Sequence, residues 1–180
     1  RVGMVFQEPM TALNPLMTVG RQVSRDRART AALLAEVGIE RPGAYPHELS
    51  GGQRQRVLIA AALARDPEVL ICDEPTTALD VTVQKQVIEL LDKLRRELGF
   101  AMVFVSHDLA LVAEISHRIA VMYAGQMVEQ GASRDVLAQP VHEYTRGLLG
   151  AVLSIEAGAE RLHQIRGTVP SPSEFPPGNR

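Results

Sequence analysis

Two short stretches of this sequence hold the residue types that chemistry on a polyphosphate requires. One is Leu49-Ser50-Gly51-Gly52-Gln53-Arg54-Gln55-Arg56-Val57, and the other is Val69-Leu70-Ile71-Cys72-Asp73-Glu74-Pro75. A serine and two glycines opening a helix present backbone N–H groups that no intrahelical carbonyl uses, a ready seat for a phosphate. Glycine in a helix costs roughly 0.5–1 kcal/mol against alanine, so Gly51 and Gly52 in a first turn point to close approach of backbone to a ligand. An apolar strand ending in Asp73-Glu74 supplies one carboxylate for Mg²⁺ and a second to orient or deprotonate an attacking water. His107, after Val103-Phe104-Val105-Ser106, is placed to bond a γ-phosphate and that water, and Gln7 follows an apolar run in the same way. Together these residues predict hydrolysis of a nucleoside triphosphate.

The elements that must carry these groups follow from the apolar pattern. Val2 to Phe6, Val69 to Cys72 and Ala101 to Val105 are short apolar runs that predict buried strands. A loop through Asn14-Pro15 follows the first strand, and then a helical region in which Ala28, Ala31, Ala32, Leu33, Leu34 and Val37 fall on one side, with Gly38 as a stop. Ser50 is an N-cap with Gln53 as its capping-box partner, and the helix it opens runs to about Arg65, where Asp66-Pro67 ends it. Val81 to Leu98 is a long helix with Val83, Val87, Leu90, Leu91, Leu94 and Leu98 on its inner face, closed by Gly99. Leu109 to Ser116 is a short helix, and Arg118 to Gln130 forms two strands turned at Ala124-Gly125. Strand, helix, strand, helix, strand in this order predicts an α/β fold with a parallel sheet covered on both faces. Sites in such sheets lie at the carboxyl ends of strands, where Gln7, Asp73-Glu74 and Ser106-His107 converge.

Composition narrows the alternatives. The 180 residues are 46% hydrophobic and 22% charged, enough for a domain with a real core. A formal net charge of −2 gives no electrostatic case for a nucleic-acid partner. The cluster Arg21, Arg25, Arg27 and Arg29 reads as a solvated helix face. The single cysteine, Cys72, excludes an internal disulfide framework and sits in an apolar strand as core filler. No run approaches the ~18–20 apolar residues of a membrane-spanning helix, and no charged-then-apolar leader opens the sequence. Arg1 precedes a strand already under way, so the sequence reads as beginning inside a domain.

These motifs in this order resemble the nucleotide-binding domain of an ABC ATPase, over about Val2 to Gly131. The resemblance implies a P-loop NTPase-like core with a helical subdomain at about 16–65, and a tail from 132 to 180 that is partly helical and then proline-rich. It implies that Gln7 is the glutamine of the Q-loop, that Ser50, Gly51, Gly52 and Gln53 belong to the signature loop, and that Val69 to Glu74 is the Walker B strand. Asp73 and Gln7 would then serve Mg²⁺, Glu74 and His107 would serve hydrolysis, and Asp80 would be the D-loop aspartate. The family works as a head-to-tail dimer in which the signature loop of one subunit closes over ATP held by the other, and this closure drives a partner.

Further stretches narrow the branch. Phe6-Gln7-Glu8-Pro9-Met10-Thr11-Ala12-Leu13-Asn14-Pro15, Tyr45-Pro46-His47-Glu48-Leu49-Ser50 and His142-Glu143-Tyr144-Thr145-Arg146-Gly147-Leu148-Leu149 resemble the ATP-binding subunits of oligopeptide, dipeptide and nickel importers. So do Arg166-Gly167-Thr168-Val169-Pro170 and Phe175-Pro176-Pro177-Gly178. The implied partners are a second ATP-binding subunit, two membrane permeases and, indirectly, an external solute-binding protein, with the subunit peripheral on the cytoplasmic face of the membrane. Two departures stand out. No Gly-x-x-x-x-Gly-Lys-[Ser/Thr] occurs, so these residues alone are expected not to hold ATP properly. The region from Leu16 to Tyr45 is shorter, by roughly a helix, than the helical subdomain of such importers. A clamp acting on DNA or the ribosome is the alternative from another class, and it would be expected to carry a coiled-coil insertion or a basic binding surface. A non-catalytic truncated remnant is the third reading.

Overall fold

The computed structural model describes residues 1–156, with side chains described through residue 150. The importer-like segments Arg166–Pro170 and Phe175–Gly178 lie outside the described residues. The chain gathers into two compact units, residues 1–107 and residue 108 onward.

The first unit is built on three parallel strands in the order β1 (Val2–Val5), β2 (Val69–Asp73), β3 (Ala101–Val105). Register pairs Val5 with Cys72 and Cys72 with Phe104, so the three strand ends finish nearly level. Because side chains alternate across a strand, Val5, Leu70, Cys72 and Phe104 point to one face. There they join Val57, Ile59, Leu63, Val87, Leu91 and Leu94 in a single core. The other face carries Val2, Met4, Val103 and Val105, all exposed among the described residues. The sheet of this unit is therefore covered on one face, where two were expected. Among the described residues β3, expected to be buried, is an edge strand with alternate residues open, because it has a hydrogen-bonded neighbour on one side only.

The central helix α4 (Gly51–Leu63) is buried on most of its circumference, since it packs on β1, α2 (Val19–Val23), α3 (Arg27–Glu36) and α5 (Val81–Leu98). The helix periodicity of α3 is as read, but its buried face is Thr30, Leu34 and Val37. Ala28, Ala31 and Ala32 are exposed, because the larger leucines and not the alanines set which side turns inward. In α5, Leu98 is exposed, one residue before the left-handed Gly99 cap turns the chain away. Of the arginine cluster, Arg21, Arg25 and Arg27 are solvated, whereas Arg29 is partly buried and paired with Asp66. A four-residue helix α1 (Pro9–Ala12), opened by a proline at its first position, lies where only loop was read.

The second unit comprises α6 (Leu109–Ile115), the antiparallel pair β4 (Arg118–Tyr123) and β5 (Gln126–Ala132), α7 (Ser133–Ala138) and α8 (Glu143–Glu156). Ala124 and Gly125 both have positive φ, the signature of the two-residue type I′ turn that matches strand twist. Leu109, Ile119, Val121 and Val136 form its core, against which Tyr144 and Leu148 pack. The Glu129 carboxylate accepts the backbone N–H groups of Val141 at 2.8 Å and His142 at 3.1 Å, fixing the entry to α8. The Thr145 hydroxyl and these two N–H groups favour the charged form and hold Glu129 below the usual carboxylate range.

Candidate functional site

The first residue past β2 is the focus of the strand-end site. Glu74 sits at φ 42°, in the left-handed region that a non-glycine residue enters at a cost of order 1–3 kcal/mol. Its N–H donates to the Val105 carbonyl at 3.0 Å, so the sheet continues one rung further and fixes that conformation. The turn aims the carboxylate at side chains from three strand ends. Gln7 Nε2, two residues past β1, donates to Glu74 Oε2 at 3.1 Å. His107 Nδ1, two residues past β3, lies 3.4 Å from Oε1. Thr77 Oγ1, three residues on in the same turn, donates to Oε2 at 2.9 Å.

The electrostatics follow from those contacts. The Thr77 hydroxyl and then His107 stabilise the charged form and hold Glu74 below the usual carboxylate range, against a smaller opposing effect of burial. At neutral pH Glu74 is therefore an anion whose two oxygens are both steered. Cys72, one residue upstream of Asp73, is fully buried and its thiol is pushed up to about 12 by burial, so it is inert packing.

Asp73, half-buried, ends β2 in register with Val105. Gln7 spends its amide N–H₂ on Glu74, which leaves its carbonyl oxygen for another partner. A carboxylate and an amide carbonyl are hard oxygen donors of the kind Mg²⁺ takes beside water and phosphate oxygens. Among the described residues no group of three His, Cys, Asp or Glu side chains could cage a metal. The donor set fits Mg²⁺.

The signature turn is organised differently. Ser50 Oγ accepts the Gln53 N–H at 3.3 Å and Gln53 Oε1 accepts the Ser50 N–H at 3.0 Å, a reciprocal capping box. Gly51 is exposed, with a hypothetical Cβ in ordinary contact with Leu79 Cδ2 at 3.4 Å. Gly52 is buried, and a Cβ there would lie 2.4 Å from Val83 Cγ1 of α5. The two glycines thus differ in their surroundings. Gly52 lets α4 and α5 pack, a steric reason for that glycine which stands beside the reading of both glycines as ligand approach, and Gly51 leaves backbone exposed to an outside group. Asp80 caps α5, its Oδ1 accepting the Val83 N–H at 2.9 Å, so the same short link fixes Val83 against Gly52.

The structure therefore brings Gln7, Glu74 and His107 together and sets Asp73 beside them in sequence and register, while Ser50 to Gln53 form a self-contained turn. Two residues of interest were missed from sequence. Thr77 could have been found from its three-residue spacing from Glu74 in a Pro-containing turn. Gln55, buried on α4, carries no signal in the sequence beyond being a polar residue on an apolar helix face.

An α/β core on a parallel sheet with an acidic strand end is the class that fold and site define. A model of the family described as "ABC transporter" matches residues 1–77, and one described as "Oligopeptide/dipeptide transporter, C-terminal region" matches 128–180. The dipeptide transport ATP-binding protein DppD of Bacillus subtilis is 46% identical over 98% of this chain and 58% of its own length. The structure of cbiO1 from Clostridium perfringens, part of an ABC transporter complex, aligns with a TM-score of 0.70 at 30% identity over 87% of this chain and 67% of its own. A dimeric post-hydrolysis structure of the ATP-binding cassette MJ0796, bound to ADP and phosphate, aligns with a TM-score of 0.64 at 33% identity, over 74% of this chain and 63% of its own. The chain belongs to the ABC transporter ATP-binding family. It spans about three fifths of the length of the curated relatives it matches.

Proposed function

We propose that this chain is the catalytic-strand and signature-helix portion of an ATP-hydrolysing subunit that energises an ABC importer for peptides or related small solutes. The observation that carries the reading is the Glu74 carboxylate, strained in backbone and held by Gln7, Thr77 and His107 at the carboxyl edge of a parallel sheet. The likeness of residues 128–180 to the oligopeptide/dipeptide transporter tail supports the importer branch.

In this reading Glu74, ionised and steered, orients or deprotonates the attacking water. His107, with its ring mostly exposed, turns from Glu74 toward the γ-phosphate when nucleotide arrives. Asp73 and the Gln7 carbonyl would hold Mg²⁺, which would supply positive charge against the phosphate oxygens. Ser50, Gly51 and the first N–H groups of α4 present their dipole to the nucleotide of a second ATP-binding subunit, in a head-to-tail dimer. Asp80, at the start of α5, faces that same partner. Two permeases and, through them, an external solute-binding protein complete the assembly on the cytoplasmic face of the membrane. Among the described residues no helix is long and apolar enough to span a bilayer.

The test is steady-state ATPase activity of the full-length protein beside Glu74→Gln. Loss of the base should slow hydrolysis by on the order of 10² or more with ATP affinity nearly unchanged. Equal rates in the two proteins would reject the assignment.

A further inference from the structure

Below the strand-end site lies a cleft of about 120 Å³ with three walls. Gln7 and Met10 form one, Pro75 and Leu79 of the turn after Glu74 form the second, and Gly51 and Gln55 of α4 form the third. Gly51 and Gln55 are four residues apart and so share one face of the helix. Gln55 is 1% exposed, yet its Nε2 has no hydrogen-bond partner among the described residues. A buried amide donor left unpaired is costly, and native proteins pair such groups with protein or with ordered water. The cleft is mostly apolar, with Gln7, Arg54 and Gln55 as its polar lining residues, and it has room for a few waters, each taking about 30 Å³ in the liquid.

We infer that Gln55 is a positioning residue, which through ordered water in this cleft ties the signature helix to the loop bearing Gln7 and the turn bearing Glu74. The inference rests on the proposed function for its consequence. Gln7 and Glu74 address the nucleotide of this chain, whereas the start of α4 addresses that of the partner. A link through Gln55 makes the state of one nucleotide visible to the other. The polar side chain on an otherwise apolar face of α4 then has a reason, since an aliphatic residue would fill the space without making the link.

The experiment uses the full-length protein with Gln55→Leu, which removes the amide at similar volume, and Gln55→Met as a second apolar variant in case the first fails to fold. Expected are a fall in kcat of about tenfold, a KM for ATP within about twofold of wild type, and a Hill coefficient for ATP moving toward 1. Melting temperature should hold, since an apolar side chain of similar volume replaces an amide that is paired through water alone. Amide hydrogen exchange in residues 7–13 and 75–80 should quicken in the nucleotide-free protein, a readout that needs no activity. Unchanged kcat and unchanged exchange in a folded variant would overturn the inference. So would a parallel loss of stability and activity without the kcat-against-KM split. If wild type and Glu74→Gln are equally inactive, the hydrolysis reading fails, and the exchange data still decide whether Gln55 positions the two loops.

Discussion

The strand-end site and the signature turn both place polar groups where a phosphate could meet them, yet they are assembled in opposite ways. At the strand ends, Gln7, Glu74 and His107 come from segments up to a hundred residues apart in sequence, and only the level finish of three parallel strands makes them neighbours. At the signature turn, Ser50 and Gln53 satisfy each other within one helical turn, and the nearest long-range demand is steric, the contact of Gly52 with Val83. The first region holds a charged group in a costly backbone conformation. The second is relaxed, so its open N–H groups are free to receive something from outside. This is the division that the proposed composite site calls for, one half to act on a nucleotide and the other to be presented to one.

That contrast predicts that damage at the two regions shows in different measurements. His107→Ala in the full-length protein should lower kcat by roughly 10- to 100-fold with the melting temperature unchanged, since the ring is largely exposed and its loss affects the reaction. Gly52→Ala should do the reverse at first sight, costing about 1–3 kcal/mol of stability by forcing Val83 aside, as urea unfolding would read. A second change, Val83→Ala, should restore much of that loss, and failure of the rescue would place the cause elsewhere than the α4–α5 contact. Ser50→Ala removes one cap and should cost about 1 kcal/mol, with a larger effect on activity than on unfolding if the hydroxyl also meets a phosphate.

The smallest effect concerns acid. Because the folded-state pKa of Glu74 is lowered, its contribution to stability is complete above the ordinary carboxylate range and is lost as pH falls through the depressed value. Glu129 acts in the same direction. Acid unfolding monitored for Glu74→Gln should therefore be less steep below about pH 4.5 than for wild type, the ordinary glutamate value being near 4.3. An unchanged acid limb would mean that Thr77 and His107 do not favour the ion.

Much of the fold was legible because its signals are local. The capping box at Ser50, the left-handed Gly99 and the Ala124-Gly125 turn each lie within a few residues of sequence, and the bounds of α5 and β3 match the reading residue for residue. The misreadings share a cause as well. Which face of α3 is buried and whether β3 is an edge depend on what packs alongside, as does the steric reason for Gly52, and a periodic pattern cannot state its own neighbours. At the site, the sequence order of the strand ends was enough to expect Gln7, Glu74 and His107 together, since parallel strands finish at one edge. Thr77 offered only its three-residue spacing from Glu74 and Gln55 offered nothing, because a hydroxyl in a turn and an amide on a helix become fully informative only once their partners, or the lack of them, are seen.

The most direct measurement is a crystal structure of full-length Glu74→Gln protein grown with ATP and Mg²⁺. Mg²⁺ is expected at Asp73 and Gln7 of the chain whose γ-phosphate faces residue 74, with Ser50 and Gly51 of the other subunit on that same γ-phosphate. A nucleotide contacted by Ser50 and residue 74 of one and the same chain, or one bound away from both, would contradict that arrangement.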